Sequence, residues 1–175
     1  VQTSERMIEL DMLVFATGFD AITGALLAMD ISGRDGRTLK EAWADGPQTY
    51  LGLGVEGFPN LFTITGPGSP SVLSNMPISI EQHVEWISDC LEYMRRNDVA
   101  LIEAEPAAEE EWTRHVGEVA APTLMTKVES WYMGSNIPGK PRRFVSYLGG
   151  VGPYRDICQQ VADNGYRGFT LSKAG

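Results

Sequence analysis

Two apolar runs in the sequence end on glycine, and these run ends are the positions best suited to bind a ligand. Ala16-Thr17-Gly18 closes the apolar run of residues 12–16, and Gly66-Pro67-Gly68 follows residues 61–65. In open parallel sheets, ligands bind just outside the carboxyl ends of the strands. Glycine there lets a ligand or another backbone approach closely because it has no Cβ atom. From the residues alone, a ligand edge and ordinary tight packing are equally good interpretations.

The segment after Gly68 leads into a predicted helix whose first turn would face the same edge. Ser79 and Gln82 have the spacing of a capping box, which predicts a helix start at Ser79 and a stop at Asn97. Free amides and the positive end of the helix dipole favour an anion or an electron-rich ring edge, such as that of a reduced flavin. The predicted buried stripe consists of Ile80, Val84, Ile87, Leu91 and Met94.

A third candidate feature is the aromatic pair Trp131-Tyr132, in a long stretch with little predicted regular structure. Lys140, Arg142 and Arg143 follow it. Aromatic and cationic side chains on a flexible loop could close over an anionic, ring-bearing ligand. Alternatively, the aromatic residue anchors the loop and the cations form a solvated charge cluster. The residues leave both interpretations open.

Other motif-like patterns favour a structural interpretation. Residues 52–57 match G-x-G-x-x-G, but Phe58-Pro59-Asn60 predicts a turn where a dinucleotide fingerprint needs a helix, so we interpret them as a glycine-rich connection. Cys90 and Cys158 are predicted to lie in the core. The two histidines, His83 and His115, have no third ligand at helical spacing, so no metal site is expected.

The remaining elements are predicted from hydrophobic periodicity and from helix start and stop signals. A helix beginning at Pro106 carries Trp112, Val116 and Val119 on one face and ends by Pro122. Its acidic run, residues 109–111, is predicted to be a solvated first turn that complements the helix dipole. Strands are expected at residues 12–16, buried on both faces, at 61–65 and around Phe169. A last helix is expected over residues 153–164.

Composition limits the class of protein. The chain has 175 residues, 43% of them hydrophobic and 21% charged, which is typical of a globular domain rather than a disordered chain. It carries 14 Lys+Arg against 23 Asp+Glu, a formal net charge of −9. An acidic chain argues against nucleic acid and anionic membranes as partners. No apolar run is long enough to predict a membrane span, and no signal peptide is expected.

Several segments, taken in order along the chain, resemble flavin-dependent (type I) Baeyer–Villiger monooxygenases. Residues 11–21 match the family pattern D-x-x-V-x-A-T-G-F-D-A. Further matching segments are residues 49–52, 57–62, 66–71, 79–87, 131–132, 136–142 and 165–169. Each is weak by itself, but their common order over nearly the whole chain is specific. The resemblance is greatest to the phenylacetone, cyclopentanone and steroid monooxygenase branch.

The resemblance implies the C-terminal part of an α/β, Rossmann-like FAD/NAD(P)-binding fold. Residues 1–18 would be the last strand of the NADPH-binding domain and the crossover. Residues 19–175 would belong to the FAD-binding domain, including a substrate bulge at 66–77 and a mobile loop at 123–152. In such cytoplasmic enzymes NADPH reduces FAD, O₂ gives a flavin C4a-peroxide, and the peroxide converts a small-molecule ketone to an ester or lactone.

The resemblance also implies roles for individual residues. The cofactor-binding positions would be Ala16, Thr17, Gly18, Gly66, Asn75, Met76 and Trp131. The substrate-binding positions would be Pro67, Pro70, Ser71, Val72, Leu73 and Met76, with Val72 standing where an alanine is common. The family's Rossmann fingerprints, its F-x-G-x-x-x-H-x-x-x-W/Y signature and its catalytic arginine and aspartate are absent from these residues, so no catalytic residue is assigned.

Two other functions remain open at this point. The chain could come from a flavoprotein that hydroxylates an amine nitrogen or a sulfur, since such enzymes share the Ala-Thr-Gly segment. It could also be a non-catalytic module that folds alone and binds a ligand or partner. As a fragment of a Baeyer–Villiger monooxygenase, we expect it to be inactive by itself.

Overall fold

The computed structural model describes residues 1–16, 20–135 and 137–173. Its helices are α1 (Gly24–Leu27), α2 (Leu39–Ala42), α3 (Met76–Arg96), α4 (Pro106–Ala120) and α5 (Val151–Asp163). Strands β1 (Leu101–Ala104) and β2 (Phe169–Ser172) pair antiparallel, with Leu101 opposite Ser172 and Ala104 opposite Phe169. Single 3₁₀ turns cover Arg34–Gly36, Ser71–Leu73, Leu124–Lys127 and Trp131–Met133.

The main hydrophobic core lies where α3 packs against α5 and the two strands. Trp86 of α3 is at its centre, where its Nε1 donates to the Cys158 carbonyl at 2.9 Å and its ring meets the edge of Tyr166. Cys90 and Cys158 are fully buried, which confirms their predicted core position. Burial raises the pKa of both thiols to about 12, so they are uncharged packing groups.

A second, smaller hydrophobic core is formed by residues that precede residue 61. Leu39, Trp43, Val55 and Phe58 are buried together there. Helix α2 is held by a capping box in which the Thr38 hydroxyl accepts from the Glu41 amide and the Glu41 carboxylate accepts from the Thr38 amide. The turns of residues 50–58 contribute to both cores, with Tyr50, Leu51 and Leu53 in the main core and Val55 and Phe58 in the smaller one.

Helix α3 differs from its prediction at its start and in its buried face. It begins at Met76 rather than Ser79, because Pro77 suits the first helical turn, while its end at Asn97 is as predicted. Of the predicted stripe, Met94 is buried and Ile87 is half-buried, whereas Ile80, Val84 and Leu91 are exposed. The buried face instead consists of Ser79, Gln82, His83, Trp86, Cys90 and Met94. The predicted stripe lies about a quarter turn away from it.

The predictions of strands at residues 12–16 and 61–65 are wrong, because neither segment forms a strand in the structure. Met12 is 78% and Phe15 79% exposed, and neighbouring strands that could pair with this run are absent from the described residues. Strand formation needs such pairing because the backbone amides and carbonyls are otherwise left to water. Residues 61–65 contribute only one isolated bridge, between Phe62 and Gly54.

The carboxyl-terminal predictions agree closely with the structure. Helix α4 begins at Pro106, buries Trp112 and Val116, half-buries Val119 and ends at Ala120. Helix α5 begins two residues before its predicted start and ends one residue before its predicted end. The strand around Phe169 is β2. Its partner β1 was not predicted, since four residues between two helices give little periodic signal.

Candidate functional site

Gly66 lies at a point where the chain packs against itself. A Cβ atom there would stand 2.3 Å from the Thr63 hydroxyl and 2.8 Å from the Gly52 carbonyl oxygen. The Thr63 hydroxyl also donates to that carbonyl at 2.8 Å, and the Gly66 carbonyl accepts from the Ser69 hydroxyl at 2.7 Å. Of the two interpretations left open by the sequence, tight packing against the protein's own backbone is therefore observed at Gly66.

We expect Gly66→Ala to lower the free energy of unfolding by about 2 kcal/mol, because the added methyl group overpacks this contact. Gly117 within α4 is a matched control, since a Cβ there would meet nothing within 4 Å. Gly117→Ala should instead raise stability by about 0.8 kcal/mol, the usual preference for alanine inside a helix. Urea unfolding of the complete enzyme carrying each substitution measures the difference, and similar effects in the two would contradict this account of Gly66.

The predicted substrate bulge forms a tight turn on α3. Ser71 is buried and adopts a left-handed conformation with φ of 45°. The Ser74 hydroxyl donates to the Ser71 carbonyl at 2.7 Å and lies 2.5 Å from the Ser79 hydroxyl of α3. Pro67 and Pro70 are fully buried beneath the turn. Val72 is 41% exposed and Leu73 half-buried, so the turn directs apolar surface outward.

The amino terminus of α3 follows this turn directly. Asn75 is the residue before the helix, and its side chain makes no capping hydrogen bond. Asn75 is exposed and Met76 is half-buried. The amides of the first helical turn therefore lie beside the apolar surface of Val72 and Leu73, and they lack a side-chain cap of their own.

Residues 143–147 connect the Trp131 region to the base of the bulge. The Arg143 and Val145 amides donate to the Met133 and Tyr132 carbonyls, both at 3.1 Å. On the other side, the Gly68 amide donates to the Val145 carbonyl and the Tyr147 amide to the Ser69 carbonyl, both at 2.8 Å. Residues 144–147 are buried. One extended segment thus ties together two regions that the sequence singled out separately.

The remaining predicted cofactor positions lie in different surroundings. Trp131 is half-buried and stacked on Tyr132, with ring centroids 3.8 Å apart. Ala16 is exposed. Thr17 and Gly18 lie outside the described residues. The structure therefore connects Gly66, the bulge, Met76 and the Trp131 turn, but it does not place Ala16 with them.

The basic residues after Trp131 are largely engaged with the protein itself. Lys140 forms an ion pair with Asp20, and Arg142 forms one with Glu129. The Arg143 side chain lies over Gly46, and its Nη1 is buried without a hydrogen-bond partner among the described residues. For Lys140 and Arg142, intramolecular pairing accounts for the charge.

Two amides of the G-x-G-x-x-G segment donate to carboxylates of the same chain. The Glu56 amide donates to Glu109 at 2.7 Å, and the Gly57 amide donates to Glu103 at 3.0 Å. Arg34 pairs with the same Glu103 at 2.6 Å. A phosphate at this turn would have to displace both carboxylates, which supports the interpretation of the segment as a connection.

Glu109 contradicts the prediction of a fully solvated acidic run. Its neighbours Glu110 and Glu111 are exposed, but Glu109 is buried. Burial raises the pKa of Glu109 to about 6, although the hydrogen bond from the Glu56 amide acts in the opposite direction. The carboxylate faces inward because it satisfies a backbone amide that would otherwise be buried without a partner.

A buried polar chain formed by His83 and Tyr154 was not predicted from the sequence. The Thr65 amide donates to His83 Nδ1 at 2.8 Å, and His83 Nε2 lies 2.9 Å from the Tyr154 hydroxyl. That hydroxyl donates to the Leu51 carbonyl at 2.6 Å. The available signal was the position of His83 on α3, where it is one turn after Ser79 and one turn before Trp86 and so shares their face.

The described residues also limit other kinds of site. Within the described ranges, no three histidine, cysteine, aspartate or glutamate side chains are grouped so that they could hold a metal ion. Across the same residues, each helix is either too short or too polar to cross a membrane.

Curated proteins similar to this chain are monooxygenases. Acetone monooxygenase (methyl acetate-forming) from Gordonia sp. (strain TY-5) is 49% identical over 94% of the chain and 31% of its own length. Phenazine N-monooxygenase from Lysobacter antibioticus is 45% identical over 93% of the chain and 30% of its own length. A Baeyer–Villiger monooxygenase from Pseudooceanicola batsensis is 43% identical over 90% and 29%. No family model matches the chain.

Solved structures give the same result. A steroid monooxygenase bound to NADP superposes with a TM-score of 0.90 at 48% identity, covering 99% of this chain and 32% of that one. A closed structure of cyclohexanone monooxygenase gives 0.91 at 48% identity, covering 97% and 32%. The fold is therefore part of the Rossmann-type FAD/NADP fold of the flavin monooxygenases.

Within that class, the chain belongs to the Baeyer–Villiger monooxygenase family. It spans about 30% of the length of the curated relatives it matches. The resemblance noted in the sequence is thereby confirmed.

Proposed function

We propose that the chain forms part of an FAD- and NADPH-dependent monooxygenase that converts ketones to esters or lactones. In this reaction one atom of O₂ is inserted beside the carbonyl carbon, the other leaves as water, and NADPH supplies the two electrons. The observation that carries the proposal is the 49% identity to a methyl acetate-forming acetone monooxygenase over 94% of the chain. The outward apolar turn at residues 71–73 adds a surface suited to a ketone.

The residues around the start of α3 fit a flavin ring. The uncapped first turn of α3 offers amides and a positive dipole end, which suit the electron-rich edge of a reduced isoalloxazine. Half-buried Met76 and Leu73 offer apolar contact beside those amides. When bound, FAD would supply the oxygen-inserting chemistry. The role of this chain is to bind and orient: Gly66, Asn75 and Met76 on the cofactor side, and Pro67, Pro70 and residues 71–73 on the ketone side.

We further propose that NADPH approaches from the side of Trp131. The ring of Trp131 lies on Tyr132, whose carbonyl is tied to Val145. A stacked aromatic pair offers a flat apolar face to a nicotinamide or adenine ring. Ala16, Thr17 and Gly18 complete this proposed cofactor set. We also propose a cytoplasmic location, where NADPH would be available.

The proposed domain division places residues 1–18 with the NADPH-binding domain and residues 19–175 with the FAD-binding domain. The support is the exposure of residues 10–16, whose apolar side chains contribute to neither core. In the complete enzyme, residues 12–16 would gain the neighbouring strands that they need. The bulge would occupy residues 66–77 and the mobile loop residues 123–152.

The experiment is to express the complete enzyme that contains this chain and to supply NADPH, O₂ and ketones of increasing size. We expect ketone-dependent NADPH oxidation together with ester or lactone of the substrate mass plus one oxygen. NADPH oxidation that yields only hydrogen peroxide with every ketone would overturn the proposal. The 175 residues expressed alone should be poorly stable and bind no flavin tightly, and a yellow product with stoichiometric flavin would overturn that expectation. Cooperative unfolding without flavin would favour the binding-module alternative.

Oxidation of a ring nitrogen is a second candidate, favoured by the 45% identity to a phenazine N-monooxygenase. The same assay separates the two activities when phenazine is added in parallel with ketones. A phenazine N-oxide formed without any ester would establish the second candidate in place of the first.

Within the proposed enzyme, we expect Val72→Ala to widen substrate acceptance. Removing two methyl groups from the outward turn should raise kcat/KM for a bulky cyclic ketone relative to acetone by about 10-fold. Val84→Ala is the matched control, because Val84 is 44% exposed against 41% for Val72 but lies on α3 away from the turn. An unchanged ketone ratio in Val72→Ala would contradict the placement of the bulge at the substrate.

A further inference from the structure

We propose that His83 is a positioning residue for residues 65–74, which we name the substrate turn, acting through Thr65 and oriented by Tyr154. The inference deepens the proposed function, because it concerns the site that would bind the ketone. Nothing in the resemblance assigns a role to either side chain, and neither has a place in the proposed binding sets.

The hydrogen bonds define the tautomer of His83. Its Nδ1 accepts from the Thr65 amide, so the ring proton must be on Nε2. Nε2 therefore donates to the Tyr154 oxygen, whose own proton goes to the Leu51 carbonyl. His83 is fully buried, and Tyr154 is 1% exposed. Every polar atom of the two side chains has a partner, and the direction of donation is the same along the whole chain of bonds.

His83 must remain uncharged for this arrangement to exist. A protonated imidazole would present an N–H to the Thr65 N–H, and two donors cannot bond to each other. Burial lowers the pKa of His83 to about 4, which keeps the lone pair of Nδ1 free at neutral pH.

Thr65 is the residue at which the turn begins, and it holds an unfavourable conformation. Its φ of 52° lies in the left-handed region, which is sterically unfavourable for a β-branched residue. The bond to His83 offsets part of that cost. Since Gly66 and Pro67 follow immediately, the direction in which Thr65 turns the backbone sets the direction of the substrate turn.

Helix α3 is hydrogen-bonded to both ends of the substrate turn. His83 binds Thr65 at the beginning of the segment, and Ser79 contacts Ser74 at its end. Ser79 and His83 are four residues apart, so they are neighbours on one face of the same helix. The segment 65–74 is therefore fastened to a single rigid element by two buried side chains, and that element begins at the proposed flavin site.

Two substitutions at His83 separate positioning from general packing. The side-chain oxygen introduced by H83N can occupy the place of Nδ1 and still accept from the Thr65 amide. The amide nitrogen introduced by H83Q can occupy the place of Nε2 and donate to Tyr154, but it leaves Thr65 without its acceptor. Both variants remove the ring, so both lose packing. The exposed Glu81→Gln on α3 is the control for substitution itself.

Both variants are to be measured in the complete holoenzyme. We expect H83Q to change the kcat/KM ratio between a small and a bulky ketone by about 10-fold, while H83N stays within about threefold of the wild type. In hydrogen exchange, protection of the Thr65 amide should fall about 10-fold in H83Q and be retained in H83N. The proposal would be overturned if H83Q and H83N lost stability equally and neither the ketone ratio nor the protection of the Thr65 amide changed.

The two readouts also distinguish failure of this inference from failure of the proposed function. If the wild-type holoenzyme forms no ester, the function is wrong, but hydrogen exchange at Thr65 still tests the anchoring by His83. If ester is formed and H83Q behaves as H83N does in both measurements, only the positioning role is wrong.

Discussion

Trp112→Ala should lower the free energy of unfolding by about 4 kcal/mol, among the largest effects that we expect from a single substitution in this chain. Trp112 is buried between α4 and the turn at residues 66–69. Its ring stacks on Tyr147 with centroids 5.3 Å apart, and its Nε1 donates to the Gly68 carbonyl at 3.0 Å. Alanine removes the packed ring, leaves a cavity and leaves the Gly68 carbonyl without its hydrogen-bond donor.

A second tryptophan provides the control for Trp112. Trp86→Ala should lose a similar amount of stability, because Trp86 is equally buried and also donates a hydrogen bond, to Cys158. Only Trp112 binds the turn that carries the proposed bulge. In the holoenzyme we therefore expect Trp112→Phe, which keeps a ring but loses the bond to Gly68, to alter the ratio of ketones oxidised. Trp86→Phe should leave that ratio unchanged, and the reverse pattern would contradict this account.

The second large effect is a pair of opposed pH dependences. The pKa of His83 is lowered from 6.5 to about 4, so the unfolded chain binds more protons between those values. Stability from His83 is complete above pH 6.5 and is lost as the pH falls towards 4, by about 3 kcal/mol. The pKa of Glu109 is raised from 4.5 to about 6, so here the folded chain binds more protons. Its contribution is complete below pH 4.5 and is lost as the pH rises through 6, by about 2 kcal/mol.

Single substitutions should reveal each dependence separately. Glu109→Gln removes one titration but keeps an acceptor for the Glu56 amide, so its stability should fall more steeply than that of the wild type below pH 6.5. H83N should show the opposite, with stability increasing as the pH falls from 6 to 4.5. Urea unfolding of the complete enzyme at half-unit intervals of pH measures both slopes. Parallel curves for the two variants and the wild type would show that neither group is perturbed as described.

Helix α3 shows which features of the fold the residues could predict. Its end at Asn97 followed from local chemistry, and the periodicity of the segment predicted a helix. The choice of buried face failed because two adjacent faces are both plausible. Ile80, Val84 and Leu91 are the more apolar set, yet Ser79, Gln82 and His83 are buried. Ser79 and His83 are buried with hydrogen bonds to Ser74 and Thr65, residues that no pattern along the helix can identify.

The candidate site was predictable in part, and for a different reason. The positions of the turn at residues 66–74 and of Trp131 came from the resemblance, which depends on motif order rather than on physics of single segments. The pairing that connects them through residues 143–147 is long-range, and a stretch without periodicity gives no sign of it. The prediction for Glu109 failed for a similar reason, because its partner is the backbone amide of Glu56, which is 53 positions away.

The extended segment of residues 143–147 has a mechanical consequence. It shares hydrogen bonds with Tyr132 and Met133 on one side and with Gly68 and Ser69 on the other. A displacement of the Trp131 turn by more than a bond length must either break the first pair of bonds or carry the second pair with it. If the proposed function is right, movement at the proposed NADPH side and the shape of the proposed ketone site are therefore coupled, and a substitution in either region should change the free energy of the other.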